Sequence, residues 1–157
     1  PELAIQQAQT IAAAIALQRP EQEAEIQLRL DSLKRDLVDL DSRLGVAAEA
    51  LGEEPLLFSH PVYQYLINRY GLNAVEVHWE PDIAPDGHAW EHLEELLESH
   101  PAKWMLWEGE PLDVTVRGLE DRGIASLVFD PCGNRPDEGD YLSAMAANAA
   151  TLESLTW

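Results

Sequence analysis

The sequence is short of positive charge, of sulfur and of long apolar runs. Ten lysines and arginines stand against 29 aspartates and glutamates, a formal net charge of −19. Such a balance argues against nucleic acid and anionic membrane surfaces as partners, because both repel an acidic chain. Cys132 is the only cysteine, so no internal disulfide can form. No apolar run approaches the roughly 20 residues that span a bilayer. Nor does a basic, then apolar leader open the chain. No glycine follows the first strand candidate, where Ser59-His60-Pro61-Val62 stands, which argues against the usual phosphate loops. A Gly-x-Ser-x-Gly nucleophile elbow is absent too.

What is present suffices for a folded body. With 157 residues, 46% of them hydrophobic, the chain can bury one core with an appendage. Ala4, Ile5, Ala8, Ile11, Ala12 and Ile15 recur at helical spacing and predict an amphipathic helix over residues 2–18. It opens on Pro1 without the expected capping residue before it, as if cut just after a cap, so we expect more chain upstream. Arg19-Pro20 ends this helix, since proline disfavours helical geometry in the residue before it. A long second helix follows, its narrow stripe drawn by Ile26, Leu30, Leu33, Leu37, Leu40 and Leu44.

After Gly52 the period changes. Short apolar runs at 56–59, 74–79, 104–107 and 125–129 read as strands, alternating with helices at 61–70, after Gly87, at 112–122 and at 141–155. Gly71 and Gly123 are helix stops, and Asp86 is a cap for the helix carrying Trp90, Leu93, Leu96 and Leu97. This alternation predicts an α/β fold, a short four-stranded, mainly parallel sheet flanked by helices. The expected organisation is a helical segment over 1–51 and an α/β lobe over 52–157.

In parallel sheets ligands gather at the carboxyl ends of strands. Those ends offer Ser59 and His60, then His78 to Glu80, then Glu108, then Asp130. His60 and Asp130 are the sharpest pair, because imidazole and carboxylate both serve first-row metals, zinc included. The expected helix start at Pro61 would favour neutral imidazole at His60, the form that binds metal. Against this stands a simpler reading, a hydrogen-bonded structural histidine. His88 and His92 share one helix face at i, i+4 but lack the accompanying glutamate of metalloproteases, so a solvated face is the better reading. Cys132, near Asp130, lacks a basic neighbour other than Arg135 to activate it. His78 and His100 receive no role. Trp79 and Trp107, near strand ends, are candidates to line a cleft.

These residues carry a resemblance. Phe58-Ser59-His60-Pro61-Val62-Tyr63-Gln64-Tyr65-Leu66 with Arg69-Tyr70-Gly71-Leu72 resembles the segment that opens the C-terminal lobe of metal-binding ABC-transporter solute-binding proteins, the zinc and manganese group. Val128-Phe129-Asp130-Pro131 is similar to the later strand whose end supplies an aspartate ligand, and Met105-Leu106-Trp107-Glu108 to the strand between them. Residues 1–17 resemble the helix after that family's Asp-Pro-His-x-Trp motif, and the long second helix its rigid linker between lobes.

The resemblance implies a zinc-capturing subunit, not an enzyme, that delivers its ion to a membrane permease outside the cytoplasmic membrane, in the periplasm or extracellularly. It places His60 and Asp130 at metal-ligand positions and Glu108 beside the pocket. Histidine rather than glutamate at the first position favours Zn2+ over Mn2+. The family's two further histidine ligands have no counterpart in this sequence, so the chain alone should bind zinc weakly. Pro61, Val62 and Gln64 replace the usual small residue and glycine after the ligand histidine. Two other readings stand beside this one. A metal-dependent hydrolase would use His60, Asp130 and a third ligand, Glu108 or Cys132; a purely structural α/β module would hold no metal. The apolar face of the first helix, Ile5, Ile11 and Ile15, is expected to pack on another copy of the chain or on the long helix.

Overall fold

The computed structural model of the chain describes residues 1–136 and 138–155. By internal contacts the chain divides into two units, Pro1–Val46 and Ala47–Trp157.

The first unit is helical. Helix α1 spans Glu2–Gln18 and stops where Arg19 adopts φ −137° and ψ 67°, outside the helical region that Pro20 disfavours for it. A 3₁₀ turn, Pro20–Gln22, leads into helix α2, Glu23–Leu51, whose last residues run into the second unit. Burial of the α2 stripe deepens along the helix. Ile26, Leu30 and Leu33 are half-buried, whereas Leu37, Leu40 and Leu44 are buried. On α1, Ile5 is half-buried while Ile11 and Ile15 are exposed. The expected packing of that face onto the long helix is therefore absent, since packing would have closed both isoleucines from solvent.

The second unit is an α/β sheet body. Strands β1 (Leu56–Phe58), β2 (Ala74–Glu76), β3 (Trp104–Trp107) and β4 (Ala125–Val128) form one sheet in the order β2-β1-β3-β4. All three pairings are parallel. Helices α3 (Gln64–Tyr70), α4 (Gly87–Ser99), α5 (Asp113–Glu120) and α6 (Tyr141–Glu153) alternate with the strands. Central strands β1 and β3 read as unbroken apolar runs because both of their faces are covered: Leu56, Leu57, Phe58, Met105, Leu106 and Trp107 are all fully buried.

The local signals act as read. Gly71 caps α3 in the left-handed conformation, φ 65°, and the Asp86 carboxylate accepts from the Ala89 N–H at the start of α4. Trp79 and Trp107 differ from expectation. They lie in the core with Leu57, Leu93 and Leu119 instead of lining a cleft. Their rings, 6.4 Å apart, are filling the space between sheet and helices, which is where large apolar area is worth most.

The strand order has one consequence for ligands. From β1 the chain moves outward to β2, then crosses back so that β3 pairs on the other side of β1. Loops leaving β1 and β3 therefore diverge, and an open sheet has its crevice where such loops diverge.

Candidate metal site

His60 and Glu108 stand at that crevice, two residues after β1 and one after β3. The strand ends are tied together: Ser59 N–H donates to Leu106 C=O at 2.9 Å, and Glu108 N–H reaches the Ser59 hydroxyl at 3.4 Å.

Glu80 arrives from the edge strand. Beyond β2 the chain keeps donating to β1, Val77 N–H to Phe58 C=O at 2.9 Å and Trp79 N–H to Ser59 C=O at 2.6 Å. Between them His78 takes φ +59°, a conformation uncommon for a residue with a side chain. Trp79 is thereby sent into the core and Glu80 lies against His60, with Oε1 3.4 Å from Nδ1. Leu112 N–H donates to Pro81 C=O at 3.0 Å, which clamps this loop to the one that follows Glu108. Among the described residues, His60, Glu80 and Glu108 form a group whose ligand atoms all lie within 4.8 Å of one another.

Asp130 belongs to the same end of the sheet. With Glu108 it lines a cavity of about 510 Å³ that Pro81, Gly133, Asn134 and Arg135 help to enclose. Its main chain is held by Asn148 on α6, which accepts from Asp130 N–H at 2.9 Å and donates to its carbonyl at 2.6 Å. Its Oδ1 accepts from Cys132 N–H at 2.7 Å, across a turn in which Cys132 has φ +56°. Tyr63 connects the parts. Its buried hydroxyl donates to Phe129 C=O at 2.7 Å, and its pKa is driven far up by burial and then by the Glu108 and Asp130 carboxylates.

Asp130 is not among the three grouped donors, and the remaining candidates lie farther from them. His88 and His92 are exposed on α4, as a solvated face would be. His100 is buried and donates from Nε2 to Leu56 C=O at 2.9 Å, a structural role; a carbonyl can only accept, which fixes that tautomer. The Cys132 thiol is pushed up in pKa by burial and by Asp130, the reverse of what activates a thiolate. One expectation for His60 needs correction. Helix α3 starts at Gln64, not Pro61, because a tight turn with Val62 N–H on His60 C=O intervenes, so the helix dipole does not act on the imidazole. His78, given no role from sequence, has its ring centroid 6.1 Å from that of His60.

Over residues 1–155 the chain matches the family described as zinc-uptake complex component A, periplasmic, ZnuA. It is a member of the ZnuA family. Solved structures share the fold. YcdH of Bacillus subtilis, a metal-dependent lipoprotein, superposes with a TM-score of 0.88 at 23% identity, covering 98% of this chain and 61% of that one. The Zn(II)-bound ZnuA-like domain of AdcA from Streptococcus pneumoniae gives 0.79 at 16% identity, covering 91% and 56%. The ZnuA-family chain described here thus spans about three-fifths of the length of these relatives. No curated protein sequence matches it. The hydrolase alternative finds no support in either comparison.

Proposed function

We propose that this chain is the metal-holding α/β lobe and linker helix of a solute-binding subunit that captures zinc for an ABC uptake system and presents it to the membrane permease. The observation that carries this reading is the convergence of His60 with carboxylates at the sheet crevice of a ZnuA-family chain. In it, His60 and Asp130 bind the ion and Glu108 lines its pocket. Residues 1–51 are the helical segment whose long second helix serves as linker, and 52–157 are the metal lobe.

Capture requires no bond to be made or broken in a substrate. It requires donors held at fixed spacing and an ion that exchanges its water for them. One imidazole nitrogen among carboxylate oxygens suits zinc, which takes both donor types, over manganese, which prefers oxygen alone. The unpartnered His60 Nδ1 fits such a role, because a buried ring nitrogen without a hydrogen bond is costly until a cation or proton occupies it. The acidic surface draws cations towards the site. The family description and the lipoprotein relative support a place in the periplasm or at the outer face of the cytoplasmic membrane. Among the described residues no helix is long and apolar enough to cross a membrane. The open Ile11 and Ile15 of α1 support self-association through that face.

Calorimetric zinc titration of the chain, with His60→Ala and Asp130→Ala, tests the reading. Single-site binding that weakens in both variants is the expected result. Binding indifferent to both residues would remove the metal-capture function and leave the fold alone.

A further inference from the structure

We infer that Glu80 and Glu108 are direct metal ligands beside His60, so that the α/β unit holds a divalent cation with three donors of its own. This rests on the metal-capture reading and deepens it, since that reading needs only His60 and Asp130.

The distance between His60 Nδ1 and Glu80 Oε1 is the first argument. At 3.4 Å it is long for a hydrogen bond to a charged acceptor, and Nδ1 is buried without a hydrogen-bond partner. Two donors at bond lengths of 2.0–2.2 Å around a tetrahedral zinc stand about 3.4 Å apart. The pair therefore has the spacing of two ligands on one ion. Glu108 completes a face of that tetrahedron within the 4.8 Å limit that all three donors share.

Charge is the second argument. Two carboxylates this close to each other repel, and even a protonated imidazole would offset only one of the two charges. A dication balances both charges. The local backbone is arranged to keep them together at some cost: His78 with φ +59° turns Glu80 back towards His60, and the Leu112 to Pro81 hydrogen bond fixes the Glu80 loop to the Glu108 loop. Asp130 lines the neighbouring cavity with Glu108 and is not one of the three grouped donors.

The donor set is then one nitrogen with two oxygens. Its oxygen content is higher than a histidine-rich zinc site would have, while the imidazole keeps the preference for Zn2+ over all-oxygen cations such as Mn2+. Affinity of the chain by itself should also exceed what two ligands give.

The test is titration of the 157-residue chain with Zn2+ by calorimetry and with Co2+ by visible absorption, for wild type, Glu80→Gln, Glu108→Gln, Asp130→Asn and His60→Ala. Melting in EDTA checks that each variant is folded, and Glu80, whose side chain is 46% exposed, should tolerate the change. Expected are weakening by more than about tenfold in Glu80→Gln and in Glu108→Gln, the lower bound for losing even an outer partner of a ligand, together with shifted Co2+ bands. If Glu80→Gln weakens binding but leaves the Co2+ bands in place, the residue only orients His60 and direct ligation is overturned. Unchanged affinity in both glutamate variants, with loss in His60→Ala and Asp130→Asn, overturns this inference and leaves zinc capture standing. Indifference of all four variants overturns both.

Discussion

The Tyr63 hydroxyl spans from the segment after β1 to the main-chain carbonyl of Phe129, 2.7 Å away at the end of β4. Its ring stands 4.4 Å from Phe58 and 5.8 Å from Phe129, so three aromatics from two strand ends pack together, with Tyr63 feeling the Glu108 and Asp130 carboxylates. Tyr63→Phe keeps the ring and deletes the bond, leaving a buried carbonyl unpaired. The expected cost is about 1–3 kcal/mol in urea unfolding, with weaker zinc binding because Asp130 follows Phe129 directly. Unchanged stability would mean that the carbonyl finds another donor.

Asp140 begins α6 with a reciprocal cap, its carboxylate accepting from Ser143 N–H at 3.0 Å while its own N–H donates to Ser143 Oγ at 2.8 Å. These Ser143 bonds lower its pKa below the ordinary 3.8. A lowered folded pKa stabilises above the unfolded value and loses that effect as pH falls through the folded one. Asp140→Ala should thus unfold earlier than wild type at pH 6, with the gap closing below about pH 4. Thermal melts across that range would show it; a gap constant with pH would remove the carboxylate from the account.

Gly118 lies in α5 beneath Trp90, where an added Cβ would stand 2.7 Å from the indole. Alanine gains about 1 kcal/mol of helix propensity at such a position. The overlap costs about 1–3 kcal/mol, because Trp90 is held between the Trp79 ring at 4.9 Å and the Arg122 guanidinium at 4.5 Å. Gly118→Ala should therefore lower the melting temperature and change tryptophan fluorescence. A stabilised variant would show that the indole swings aside freely.

Ile11 and Ile15 on α1 are open to solvent at 59% and 42%. Sedimentation of the chain at rising concentration should show a reversible larger species, and Ile11→Glu should abolish it. A monomer at all concentrations would exclude self-association through this face.

The alternating periods of the sequence display the α/β body well, since buried parallel strands and amphipathic helices leave different traces at 56–58, 104–107 and 125–128. His60, Glu108 and Asp130 could be placed at strand ends for the same reason. Glu80 could be noted there but not singled out. Its meeting with His60 depends on strand order, on hydrogen bonds that extend past β2, and on the left-handed His78, none of which has a linear signature. Trp79 and Trp107 were misplaced towards a cleft because nearness to a strand end does not tell which side of the sheet a ring takes. The false helix start at Pro61 has a similar origin: proline opens turns as readily as helices.

If Glu80 and Glu108 ligate the ion as inferred, the sheet order bears on its release. His60 and Glu108 follow central strands, paired on both sides, whereas Glu80 follows β2, a three-residue edge bonded to β1 alone. Edge strands fray first, exchanging their amide hydrogens ahead of the sheet's centre. Glu80 thus follows an edge strand and is held by the Trp79-to-Ser59 and Leu112-to-Pro81 hydrogen bonds, while Asp130, on the other edge, is tethered by Asn148. A brief parting of β2 would swing one carboxylate away and leave the rest of the cradle in place. On the inferred ligand set, fraying of this short strand would loosen one donor of a bound ion before the others.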